Sequence, residues 1–134
     1  MILIACVDDN MGMAFNCRRQ SKDQVLSARI LEKTAHSKLW MSPYSAKQFG
    51  EIEDEICVDG AFMDRAGAQE YAFTEIEAPG KYVDQVEEIL LYRWNRSYPG
   101  DVYFDLPLEG YRLVEVTEFA GHSHEKITEE RYVK

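Results

Sequence analysis

Met1-Ile-Leu-Ile-Ala-Cys-Val7 is an unbroken apolar run that stops at Asp8-Asp9. Seven residues are too few to cross a bilayer, which takes about 20 in a helix. The run also lacks the basic start and small-residue cleavage site of a secretory signal. A continuous stretch rich in Ile, Leu and Val, closed by carboxylates, predicts a strand buried on both faces. Such a strand needs cover on both sides of its sheet, which points to an α/β fold.

The elements that follow fit that start. Residues 8–20 are polar, include Gly12 and read as a long loop, a length that in compact domains is usually functional. Ser21 with Gln24 three residues on matches a capping box and predicts a helix over about 22–34, with Val25, Ala28, Leu31 and Ala35 as its apolar spine. Residues 38–41 predict a second strand, and Pro43 opens a short helix over 44–49. An acidic, exposed stretch (51–55) precedes a short strand at 56–58 and a helical turn at 62–66 closed by Gly67. Residues 71–76 are β-rich, Pro79-Gly80 marks a turn, and 83–88 suit a helical turn. The apolar, aromatic run 89–94 predicts a strong strand, with a turn at 98–101 and a short extended piece at 102–104. Residues 111–119 and 127–133 alternate and are joined by 120–126, which predicts a terminal β-hairpin. The expected fold is α/β, one domain over 1–134, with a mixed central sheet, flanking helices and a C-terminal hairpin.

The chain has 134 residues, with 15 Lys+Arg against 24 Asp+Glu and a net charge of −9. That field repels nucleic acids and anionic membranes, so neither is expected as a partner. At 46% hydrophobic and 29% charged the composition is that of a soluble globular protein. Cys6, Cys17 and Cys57 are odd in number and form no CxxC pair. They read as reduced thiols of a cytoplasmic protein and exclude a zinc ribbon or thioredoxin-type centre. Arg18 and Arg19 would favour a Cys17 thiolate, although an incidental loop cysteine is the simpler reading.

Asn16, Arg18, Arg19, Lys22 and Asp23 form the densest polar cluster. Three cations within five residues contradict the net charge of the whole. They precede a predicted helix N-terminus, where the dipole also favours anions. Arginine forks grip phosphate or carboxylate bidentately, so the cluster is a candidate anion site. Ion pairs with surface carboxylates are the competing reading. Trp94 and Arg96 end the strongest strand, where an aromatic ring and a guanidinium can stack on a flat ligand; core packing for Trp94 and solvation for Arg96 compete with this. His122 and His124 lie two apart, with Glu125 adjacent. On a strand they would share a face, but the segment reads as a loop without further ligands, and no metal is expected.

The order of elements resembles the dihydrofolate reductase fold. The resemblance is carried by Ile2-Leu-Ile-Ala-Cys-Val-Asp-Asp-Asn-Met-Gly-Met13, by Leu39-Trp40-Met41, and by Glu88-Ile-Leu-Leu-Tyr-Arg-Trp-Asn-Arg96 followed by Gly100-Asp-Val-Tyr-Phe-Asp105. The final hairpin ending in Glu130-Arg-Tyr-Val-Lys134 fits as well. It spans about the first and last thirds of the chain. It implies a mobile loop after the first strand, an asparagine at Asn16, and a cofactor-phosphate turn holding Tyr44, Ser45 and Lys47. A plain helix turn explains those three residues equally well. In that family a carboxylate early in the first helix holds the pterin and assists its protonation, a role the resemblance implies for Asp23. A raised carboxyl pKa suits that work.

The departures bear on function. Cys17-Arg-Arg-Gln20 replaces the family's Leu-Pro-Trp motif, and no glycine pair precedes the cofactor-pyrophosphate helix. Residues 50–70 are short for the central βαβ unit. Phe15-Asn-Cys-Arg-Arg-Gln-Ser-Lys-Asp23 is also similar to small bacterial proteins labelled ribonuclease Z. Without the Asp-His pair of an HxHxDH motif, the sequence does not support that label. The expected function is therefore binding of a small anionic or nucleotide-like ligand, or of a protein partner, on this scaffold without hydride transfer. An NAD(P)H-dependent reductase of a pterin-like substrate is the alternative, with NADPH the implied cofactor and the missing glycines against it. A metal-dependent ribonuclease is the least favoured.

Overall fold

The computed structural model describes residues 1–49 and 56–134; the acidic stretch 51–55 lies outside them. In chain order the strands are β1 (Ile2–Val7), β2 (Gly12–Phe15), β3 (Arg18–Arg19), β4 (Leu39–Met41), β5 (Ile56–Val58), β6 (Tyr71–Thr74), β7 (Glu88–Arg93), β8 (Val102–Tyr103), β9 (Arg112–Phe119) and β10 (Ile127–Val133). The helices are α1 (Gln24–Thr34), α2 (Pro43–Ala46) and α3 (Phe62–Arg65). A seven-stranded mixed sheet runs β5-β4-β6-β1-β7-β10-β9. A small antiparallel sheet runs β3-β2-β8.

β1 is central, parallel to β6 on one side and to β7 on the other. Its alternation separates two core layers. Leu3, Ala5 and Val7 pack with Phe62, Ile89, Leu91 and Phe104. Ile4 packs on the opposite layer with Leu26 and Ile30 of α1, Leu39, Phe73, Leu90 and Ile127. Burial on both faces is what the opening apolar run requires. β4, β6, β1 and β7 run parallel, so their C-terminal ends meet at one edge. Ser42, Glu75, Asp8 and Trp94, each the residue after its strand, are thereby gathered there. In open α/β sheets that edge is where ligands bind.

Three local expectations are corrected. Residues 8–20 are not a plain loop. β2 and β3 form a hairpin whose turn residues, Asn16 and Cys17, have φ of 54° and 61°. Two positive φ values in a two-residue loop match the type I′ geometry that suits the twist of a hairpin. The helix cap is Asp23, not Ser21. Asp23 Oδ1 accepts from the N–H groups of Val25 and Leu26, so α1 starts at Gln24 and Gln24 is too early to complete a capping box. The buried face of α1 is accordingly Leu26, Ile30 and Thr34, while Val25 is exposed. Residues 83–87 give no further helix; β7 begins at Glu88.

Pro43 does open α2, capped by Ser42, whose Oγ accepts from Ser45 N–H; a 3-10 turn at Lys47–Phe49 completes that segment. The terminal hairpin is present, β9 antiparallel to β10, with β10 joined in turn to β7. The register slips between Arg131 and Tyr132, leaving Val114 without an opposite residue. β9 is one outer edge of the sheet, opposite β5.

Candidate functional site

Asp8 organises the C-terminal end of β1. It is 1% exposed, and its carboxylate accepts from four groups. Oδ1 takes the N–H of Gly12 at 2.7 Å and of Asn10 at 2.9 Å; Oδ2 takes Tyr98 N–H at 3.0 Å and the Gln20 amide at 3.3 Å. One carboxylate thus pins the β1–β2 turn, the segment before α1 and the turn after β7. A Cβ on Gly12 would stand 2.6 Å from the Gln20 amide nitrogen and 3.0 Å from Asp8 Oδ1, so a side chain there would break this junction.

Asp23 is the second buried carboxylate. Besides capping α1 it binds the loop between β9 and β10: Oδ1 accepts His122 N–H at 2.9 Å, and Oδ2 accepts Ser123 N–H at 2.8 Å and Ser123 Oγ at 3.2 Å. His124 Nδ1 lies 2.8 Å from the same Oδ2. An ionised carboxylate only accepts, so Nδ1 carries the proton. Burial alone would raise the Asp23 carboxyl, but donors from His122, His124, Ser123 and Leu26 hold it well below the usual carboxylate range. A Cβ on Gly121 would stand 2.6 Å from Asp23 Oδ2, so the loop needs glycine to approach this closely. The His124 ring stacks on Trp94, centroids 4.5 Å apart. Its Nε2 faces Ser21 Oγ at 2.9 Å and Tyr98 OH at 3.3 Å.

Glu75, after β6, centres a third cluster. Arg19 meets it with two N–H groups, at 2.8 and 3.1 Å, and the Gln48 amide donates to it at 2.9 Å. The Arg19 guanidinium lies over the Tyr44 ring, 4.4 Å from its centroid, and Arg19 N–H donates to the Tyr44 hydroxyl. Burial first, and the Glu75 charge second, push the nearby Cys6 thiol up, keeping it protonated at neutral pH.

Beside α1 lies a cavity of about 470 Å³, bordered by Lys22, Asp23, Leu31, Gln48, Phe49 and His122 among others. Of the candidate catalytic and ligand-binding residues, Lys22 and Asp23 reach it. Arg19 and Tyr44 meet each other, but Arg19 is taken by Glu75. Asn16 and Arg18 are exposed on the β2–β3 hairpin, so the basic run does not converge on one point. Ser45 is buried under Ser42, and Lys47 is exposed. Trp94 is buried against His124 rather than presented to a ligand, while exposed Arg96 donates to the Ser123 carbonyl. His122 is exposed and His124 buried, so the two rings do not share a face. Asp23 has a lowered carboxyl, not the raised one that pterin protonation would use.

Sequence reasoning missed Glu75, Ser21 and Tyr98 as site residues and gave His124 no partner. Tyr98 and Ser21 sit in turn-like polar stretches with no periodic signal. Only the separation of 103 residues closed by the fold puts Ser21 against His124.

No protein-family model matches the chain, and no curated protein matches its sequence. Solved structures match in shape. A dihydrofolate reductase from Enterococcus faecalis, complexed with NADP(H) and RAB-propyl, aligns with a TM-score of 0.72 at 10% identity, covering 98% of this chain and 94% of that one. The fold is therefore dihydrofolate reductase-like. The likeness extends through the middle of the chain, beyond the thirds that carry the sequence resemblance. No helix among the described residues is long and apolar enough to cross a membrane.

Proposed function

We propose that the protein binds a small anionic or nucleotide-like ligand in the cavity beside α1, without transferring hydride. The observation that carries this is Lys22 on the border of the 470 Å³ cavity, with no carboxylate partner among the described residues. Cavities of this size suit small ligands. Ala28, Leu31 and Phe49 supply an apolar wall, and Ser27 and Gln48 supply hydrogen-bonding groups. The cationic end of such a site would fix an anion, and the wall would take its apolar part.

NADPH fits the residues poorly. Where the resemblance implies a glycine pair beside the cofactor pyrophosphate, the chain carries Glu75, 7% exposed and held by Arg19 and Gln48. A fixed carboxylate repels a pyrophosphate and also occupies the arginine that would pair with it. The reductase reading draws on the NADP(H) complex of the similar reductase. It predicts that NADPH quenches Trp40 or Trp94 fluorescence; we expect no quenching.

Isothermal titration with inorganic phosphate, a dicarboxylate and a nucleoside monophosphate tests the ligand reading. At least one should bind, and Lys22→Ala should weaken it roughly tenfold, about 1.4 kcal/mol. Absence of heat with all three would refute it.

A further inference from the structure

Ser21, His124 and Asp23 stand in a relay. Asp23 Oδ2 and His124 Nδ1 are 2.8 Å apart, and His124 Nε2 and Ser21 Oγ are 2.9 Å apart. Because the carboxylate holds the proton on Nδ1, Nε2 of the neutral ring is left as an acceptor aimed at the serine hydroxyl. The supports are in place as well. Asp23 is 4% exposed and fixed by the N–H groups of His122 and Ser123 and by Ser123 Oγ. The imidazole is 4% exposed and clamped against Trp94. Ser21, by contrast, is half-buried and precedes α1 rather than belonging to it. A hydroxyl, a base within hydrogen-bond reach, and a carboxylate orienting that base are the parts of an activated serine, recognised by geometry and not by sequence order.

We propose that Ser21 is the nucleophile of an acyl-transfer centre that cleaves small carboxylic esters, with His124 as general base and Asp23 as its positioning residue. Ser21 Oγ attacks the ester carbonyl carbon and its proton passes to His124 Nε2. The bond from that carbon to the alcohol oxygen breaks, and the departing alcohol takes the proton from Nε2. Water then attacks the acyl-serine, gives a proton to Nε2, and the proton returns to Ser21 Oγ as it leaves. Ester and water become acid and alcohol. Tyr98 OH lies 3.5 Å from Ser21 Oγ, and we assign it as the donor to the oxyanion. Lys22 and Asp23, the two residues after Ser21, border the cavity walled by Ala28, Leu31 and Phe49. This inference goes beyond the ligand-binding reading and does not depend on it.

A fluorophosphonate probe reports the nucleophile directly, because serine oxygen displaces fluoride and leaves a stable phosphonyl group. The expected result is one adduct per chain, mapped to Ser21 by peptide mass spectrometry. It should be absent in Ser21→Ala and formed at least about 100-fold more slowly in His124→Gln, the typical reach of a general base. Hydrolysis of p-nitrophenyl acetate should fall to background in Ser21→Ala, and Tyr98→Phe should lower kcat more than KM. The circular dichroism spectrum of Ser21→Ala is expected to match the wild type, so that loss of the adduct in it reports the missing hydroxyl and not an unfolded chain. No adduct, an adduct on another residue, or equal labelling of Ser21 in His124→Gln would overturn the proposal.

Discussion

Glu129 lies on β10, where strand alternation leaves a glutamate facing either way, and it faces in at 2% exposure. Arg29 meets it with two N–H groups, at 2.7 and 3.0 Å, Lys33 at 3.2 Å and the Tyr92 hydroxyl at 2.7 Å. Burial pushes its carboxyl up, but Arg29, Tyr92 and Lys33 outweigh that and hold it below the ordinary value. Burial and the Glu129 carboxylate together push the Tyr92 phenol well up, so it remains a donor. Removing one partner of a buried charge set leaves the others uncompensated. Glu129→Ala should cost about 3–5 kcal/mol in urea denaturation. Asp23 leads to a pH dependence. Its carboxyl is lower in the folded chain than in the unfolded one, where it sits near about 3.9. The stability it contributes is therefore complete above that value and lost as pH falls through the folded one. The difference in unfolding free energy between the wild type and Asp23→Asn should narrow progressively below about pH 4.

The β2–β3 hairpin shows how an element reassigns a residue. Asn16 and Arg18 look like ligand groups in the sequence, yet Asn16 supplies a positive φ and its N–H donates to Asp101 Oδ2 at 3.1 Å. Cys17 also holds a positive φ of 61°, a region that costs a residue with a Cβ roughly 1 kcal/mol. Cys17→Gly should stabilise the protein by about 0.5–1 kcal/mol, seen as a rise in Tm, with the cleft unchanged. An arginine on this hairpin, Arg19, reaches across to Glu75, 56 residues away. The same hairpin is thereby tied to the end of β6.

For the whole molecule, net charge and the sheet edge act against each other. β9 exposes Leu113, Val114 and Val116 at 45%, 43% and 53% on the outer edge of the seven-stranded sheet. An exposed apolar edge strand is a template for pairing with another chain. A charge of −9 opposes that association at low salt, and about 1 M salt shortens the screening length to roughly 3 Å. Light scattering should show association rising with salt, and Val116→Lys should suppress it with stability changed by less than about 0.5 kcal/mol.

Most of the fold is legible locally. The opening run became the central strand, residues 89–94 shifted by one to become β7, and the terminal alternation became the hairpin β9–β10, because burial on one or both faces writes a period into consecutive residues. The α1 cap was misplaced by two residues because Ser21 and Asp23 both suit an N-cap, and only the loop carrying His122 and Ser123 decides between them. The site was hardly legible. Parallel strands bring their C-terminal ends together from distant parts of the chain, so Asp8 meets Tyr98 and Asp23 meets His124 across 90 and 101 residues. Periodicity records which way a side chain faces, not what it faces. The sequence alone determined that this chain forms an acidic α/β sheet protein with a β-hairpin at its end. The tertiary structure decided that Arg19 is spent on Glu75, that Glu129 is buried, and that Ser21, His124 and Asp23 stand in line, since contacts between distant segments leave no local pattern.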